Sequence, residues 1–102
     1  MEKSAGILVY KFEGEDLKIL LVHAGGPFWE KKDEAAWSIP KGLVENEENV
    51  EDAARREFHE KVGTLIDNKL YELGSVKSGS KQICIFVCEK NIDISNFKSN
   101  YF

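Results

Sequence analysis

The chain has 102 residues, 42% hydrophobic and 31% charged, with a formal net charge of −4 at pH 7. This composition fits one small globular domain with a single core, and the negative balance argues against broad electrostatic binding to nucleic acid or to an anionic membrane. No apolar run is long enough to span a bilayer and MEKSAG does not read as a secretion signal, so the expected setting is cytoplasmic, with no membrane partner.

In chain order, AGILVY (Ala5–Tyr10) is apolar and β-prone, and predicts a strand. KFEGEDL reads as a turn, and LKILLVHA (Leu17–Ala24) as a second strand in a hairpin with the first. Gly25–Trp37 opens on Gly-Gly-Pro and carries mixed charge, which predicts a loop. WSIP reads as a short strand stopped by Pro40, since proline cannot donate to a ladder. A helix follows, with Asn46 as the expected N-cap, Glu47 and Glu48 in its first turn, and Gly63 as the C-cap glycine. The segment around Leu70–Val76 and ICIFVCE (Ile83–Glu89) are the last two strands, with SVKSGSK a flexible turn between them. ICIFVC is apolar on both faces, which predicts a central strand. Its cysteines, Cys84 and Cys88, share a face, and two are too few for a zinc site; they read as buried, reduced thiols. One helix for four or five strands supplies cover for about one face of a sheet.

At about 100° per residue, Val50, Ala53 and Ala54 share an arc of the helix that Phe58 and Val62 extend. Glu57 projects into the middle of that arc. Lys61 lies one turn later on the same line, Glu60 borders the arc, and Arg55 and His59 point away. Unpaired buried carboxylates are strongly disfavoured, so either the arc bends away from the core at this point or the acids have a cationic partner. Two readings stay open. One is a Glu57–Lys61 ion pair, worth about 0.3–0.5 kcal/mol if exposed. The other is a divalent metal ion carrying phosphate oxygens.

The spacing is more specific than the periodicity. From Gly42 the chain reads Gly, five residues, Glu48, seven residues, then Arg56-Glu57-Phe58-His59-Glu60-Lys61-Val62-Gly63-Thr64. This resembles the Nudix box, G-x5-E-x7-R-E-U-x-E-E-x-G-U, at Gly42, Glu48, Arg56, Glu57, Phe58, Glu60 and Gly63. AGILVY, LLVHAGGPFW and AWSIPKG resemble the strands and loop leading into the box in a bacterial Nudix subfamily. The resemblance implies a single Nudix-like domain over residues 1–102, with the box at 42–64. The fold it implies is α/β, an α/β/α sandwich around a mixed sheet, with the C-terminal strand and helix of relatives missing. It also implies hydrolysis of a nucleoside diphosphate linked to another group, with Mg²⁺ or Mn²⁺ as cofactor. Glu57, Glu60 and the Gly42 carbonyl would hold the metal, or Glu60 would act as the base toward water, and Arg56 and Glu48 would form an orienting ion pair. Lys41, Trp29 and Trp37 are the candidate substrate contacts, the lysine for phosphate and the indoles for a nucleobase; the plainer reading is an exposed lysine and packed aromatics.

Two departures accompany the resemblance. Lys61 stands where the box has a metal-ligand glutamate, and a charged lysine has no acceptor to offer a cation. Thr64 replaces a bulky apolar residue. The alternative function is therefore a catalytically impaired Nudix-fold module that binds a nucleotide or another protein; a degenerate fragment is the third reading. The short C-terminal part leaves an apolar face that a homodimer could cover.

Overall fold

The computed structural model describes residues 2–23, 26–31 and 39–94. Its elements are β1 (Glu2–Glu13), β2 (Asp16–His23), β3 (Gly26–Lys31), β4 (Lys41–Leu43), α1 (Val50–Val62), β5 (Tyr71–Ser78) and β6 (Lys81–Glu89). The strands form one mixed sheet in the order β3-β2-β1-β6-β5, with β4 added to β1. β1 runs parallel to β6 from Glu2 to Tyr10, while its other pairings are antiparallel: its first half takes β4 at Ser4–Gly6 and its second half takes β2 at Tyr10–Glu13. The β1 edge opposite β6 is thus shared by two strands, and β4 brings the start of the box onto the sheet.

The strand turns follow local chemistry. Gly14 (φ 62°) closes the β1–β2 hairpin and Gly79 (φ 63°) the β5–β6 hairpin, conformations that an L side chain adopts with difficulty. The second turn is tighter than the sequence predicts: Ser78 pairs directly with Lys81, and Ser75–Ser78 belong to β5. Two expectations around the Gly-Gly-Pro segment are corrected. Gly26–Lys31 is a strand, because Phe28 and Trp29 alternate faces and Trp29 pairs with Leu20. Of WSIP, Ile39 and Pro40 form a bend while Trp37 and Ser38 lie outside the described residues, and β4 starts at Lys41. Trp37, Phe97, Tyr101 and Phe102 lie outside the described residues.

Alternation divides the sheet. Ala5, Ile7, Val9, Leu20, Phe86 and Cys88 face α1 and pack with its Ala53, Ala54, Phe58 and Val62. Leu8, Tyr10, Ile19, Leu21, Phe28 and Ile85 face the other way. Among the described residues α1 is the one helix, so the helical cover lies on one face. None of the helices is long and apolar enough to cross a membrane. Both cysteines are free, and burial pushes the Cys88 thiol pKa up. β6 lies between β1 and β5, as its two apolar faces require.

Candidate active site on the box helix

The helix starts three residues later than its sequence suggests. Asn49, not Asn46, is the N-cap: its Oδ1 accepts from the Glu51 and Asp52 N–H groups at 2.8 and 3.3 Å. The reason is a turn closed by Glu48 N–H on the Glu45 carbonyl at 3.0 Å, with Glu47 at φ 66°. A residue in that left-handed region cannot sit in the first turn of a right-handed helix. Glu51 and Asp52 are the acids at the N-terminus, and Gly63 (φ 87°) ends the helix, its N–H on the His59 carbonyl at 2.9 Å.

The turn leaves Glu48 beside the helix, and Arg56 reaches it with two bonds, Nε to Oε2 at 2.8 Å and Nη2 to Oε1 at 3.0 Å. This fork geometry is the strong form of an arginine–carboxylate pair. Nη2 also donates to the Leu43 carbonyl at 2.9 Å, tying the guanidinium to the end of β4. Nη1 donates to Glu57 Oε1 at 2.9 Å and approaches both Glu60 oxygens at 3.3 and 3.5 Å. One guanidinium thus gathers Glu48, Glu57 and Glu60, with Glu45 at 3.7 Å. The Arg56 bonds, helped by the Glu45 N–H, hold the Glu48 carboxyl down at about 2. In return Glu48 first, and Glu57 after it, push the Arg56 pKa up.

Glu57 is the one buried charged residue among those described, 9% exposed. Its carboxylate lies directly over Gly42: a Cβ built on that glycine would collide with it. Gly42 pairs with Ala5, between the Val44 N–H to Lys3 carbonyl bond (2.9 Å) and the Ile7 N–H to Pro40 carbonyl bond (3.3 Å). In an antiparallel ladder such pairs alternate, so the Gly42 carbonyl accepts from Ala5 and keeps one lone pair. The glycine is needed because a carboxylate occupies the space a side chain would take.

Lys61 lies one turn after Glu57 in α1. It is exposed, and Glu57 pairs with Arg56 instead of with it. The arc narrows in the last turn to Val62 alone. Arg55 is likewise not a solvent residue: it donates to the Ile66 carbonyl at 2.7 Å and pairs with Glu51 at 2.9 Å, fastening the segment after the helix. Lys41 pairs with Gly6, and a Cβ on Gly6 would meet the Lys41 Cβ at 2.6 Å. Its side chain therefore leaves β4 on the face away from α1. Burial, and then the Lys61 charge, lower its pKa. Trp29 packs against the core cluster that includes Ala53, Ala54 and Phe58 of α1. Its Nε1 donates to the Ile92 carbonyl at 3.3 Å, and Lys11 Nζ lies 4.2 Å from its ring centroid. Of the sequence-derived candidates, the structure brings together Gly42, Glu48, Arg56, Glu57 and Glu60. Sequence reasoning missed Glu45 and the Leu43 carbonyl, and a backbone acceptor leaves no side-chain signal to find.

Whether this set suits a divalent metal can be asked of its donors. The Glu57 and Glu60 carboxylates and the free lone pair on Gly42 are hard oxygens, the kind Mg²⁺ takes. Two carboxylates already converge on a single cationic group, Arg56 Nη1. The set is short by one acid: among the described residues no group of three or more His, Cys, Asp or Glu side chains is placed to hold a metal. The donors fit Mg²⁺ in kind and fall short in number at position 61.

The chain matches the family model described as NUDIX domain over residues 2–97. No curated protein matches it. Solved structures share the fold. The NUDIX domain of Shewanella oneidensis NrtR complexed with ADP ribose matches at TM-score 0.62 and 16% identity, over 89% of this chain and 61% of that one. A C. elegans Ap4A hydrolase matches at 0.61 and 19%, over 93% and 74%. MutT, from work on Aliivibrio salmonicida and Vibrio cholerae, matches at 0.58 and 20%, over 84% and 63%. The chain thus spans less than two thirds of the NrtR domain and of MutT. The family match nevertheless runs from the first residue of β1 to beyond the last described one, and on that ground the chain belongs to the Nudix family.

Proposed function

We propose that the chain is a Nudix pyrophosphohydrolase that cleaves a nucleoside diphosphate linked to another group. We take residues 1–102 as one Nudix-like domain, with the box at 42–64. The observation that carries this reading is the convergence of Glu57 and Glu60 on Arg56 Nη1, beside a glycine that leaves room for the inner carboxylate. Glu57, Glu60 and the Gly42 carbonyl would hold Mg²⁺ or Mn²⁺, which when bound neutralises pyrophosphate charge and polarises a phosphoryl oxygen. The side chains divide the remaining work by exposure. The Glu57 side chain is 12% exposed and held by Arg56; that of Glu60 is 46% exposed and open to water. Glu60 is therefore the group able to accept a proton from the attacking water, with Glu57 as the fixed anchor. Arg56, clamped by Glu48 and the Leu43 carbonyl, holds both carboxylates in register. The nucleotide class of substrate rests on the solved relatives, one complexed with ADP ribose and one an Ap4A hydrolase.

A hydrolysis screen over nucleoside-diphosphate compounds with Mg²⁺ or Mn²⁺ tests this reading. Turnover should fall by about 10²–10⁴-fold in Glu60→Gln and disappear in Glu57→Gln. Turnover indifferent to both substitutions would overturn the assignment.

A second reading, a module that binds nucleotide without cleaving it, is favoured by Lys61, which puts an exposed ammonium next to Glu60. It expects calorimetric nucleotide binding without product. Under either reading Lys61→Glu should raise Mg²⁺ affinity by about tenfold, since a like-sized cation is replaced by an oxygen ligand. An unchanged affinity would remove position 61 from the metal site.

A further inference from the structure

We propose that the β5–β6 half of the sheet, on the face turned away from α1, is the contact surface for a second copy of this chain. The two copies would be related by a two-fold axis passing Ile85. The inference is independent of any activity of the box. Ile85 packs on the face away from α1 while Phe86 and Cys88 pack beneath it. By alternation, Lys81, Ile83, Ile85, Val87 and Glu89 of β6 therefore share the outer face. That row has a basic end, three apolar residues and an acidic end. On the neighbouring strand Val76 stands beside Ile83, Gly74 beside Ile85 and Tyr71 beside Val87. Val76 is 56% exposed and Tyr71 60%, although Lys69 lies over the Tyr71 ring.

The row is its own complement. A two-fold axis in the plane between two stacked sheets, perpendicular to the strands, reverses β6 over β6 and keeps β5 over β5. Centred on Ile85, it sets Lys81 of one copy over Glu89 of the other, Ile83 over Val87, and Val76 over Tyr71. Each pairing occurs twice, as an isologous contact requires. The centre is clear, since a Cβ on Gly74 would meet nothing within 4 Å. The two charges are available for it. Lys81 is 65% exposed with one long contact to Glu2 at 3.8 Å, and Glu89 has no ion pair among the described residues. Lys41 leaves β4 on this face too, but two strands from β6. An unrelated protein would not need the palindromic order of charge, which is the ground for choosing a second copy. Sheets packed this way lie about 10 Å apart, within reach of a lysine and a glutamate.

The test is sedimentation velocity on the full chain over a concentration series, with circular dichroism to verify folding. The wild type should show a concentration-dependent monomer–dimer equilibrium. Lys81→Glu and Glu89→Lys should each weaken the dimer by about tenfold, because each sets two like-charged pairs face to face. The double variant should return to within about threefold of wild type, since it exchanges the ends of the row without changing their sum. Val76→Asp should leave monomer. A wild type that stays monomeric at millimolar concentration overturns the proposal. So does a double variant as weak as the singles, or a dimer indifferent to all four variants, which would place the contact elsewhere.

Discussion

On the α1 side of the sheet a charged residue is buried; on the other side apolar ones are exposed. Glu57 is 9% exposed, yet Val76 and Tyr71 are more than half exposed. Hydrophobicity alone would order them the other way. The difference lies in what each region provides. Around Glu57 the chain assembles an arginine, two further carboxylates and a glycine, so the buried charge is paired and hydrogen-bonded. Over β5 and the outer row of β6 the described residues provide no helix. Burial thus follows the supply of partners, polar or apolar, and the box helix is where this chain invests them.

Four measurements would break or sharpen that contrast. The largest effect belongs to Phe58, fully buried beneath the box. Phe58→Ala should cost about 3–5 kcal/mol of unfolding free energy in denaturant titration. Leu73→Ser, on the exposed β5 bulge, should stay within about 0.5 kcal/mol; equal costs would erase the distinction between the faces. Next comes Arg56→Ala, which strands the buried Glu57 carboxylate and should cost about 2–3 kcal/mol in thermal or chemical unfolding. Arg56→Lys should recover less than half of that, because an ammonium cannot hold Glu48 by two bonds and still reach Leu43; full recovery would show that charge alone suffices. Asn49→Ala should cost about 1 kcal/mol and Asn46→Ala almost nothing. The reverse ranking would move the N-cap back to where the sequence first suggests it.

The smallest effect is one of pH. The Glu48 carboxyl is held at about 2, below its ordinary 4.5. A depressed carboxyl stabilises the fold fully above its ordinary value, and the contribution is lost as pH falls through 4.5 toward 2. The melting-temperature gap between wild type and Glu48→Gln should therefore be steady near pH 7 and close on acidification. A gap that persists to pH 2 would mean that Glu48 acts by shape and not by charge.

Much of the candidate site could be read directly because its logic is local. The spacing from Gly42 to Gly63 names the acids, and 100° per residue puts Glu57 on the core arc, where it is buried. Gly63 reads correctly as the helix end because a left-handed cap needs a glycine. The errors occur where local signals compete. Asn46 and Asn49 are equally good caps on paper, and the Glu45–Glu48 turn decides between them. Gly26–Lys31 looks like loop by composition, and becomes a strand because β2 offers it an edge with Leu20 and Leu21 to pair against.

By itself, the sequence determined which residues could carry the chemistry, the helix that presents them, and the two-faced character of β6, since each is written in spacing and periodicity over short range. Only the tertiary structure decided that Arg56, not Lys61, is the partner of Glu57. It also set Trp29 against the core cluster beneath α1, with its Nε1 on the Ile92 carbonyl. Those outcomes depend on which strands meet along β1, and pairing between segments far apart in the chain has no signature in either one alone.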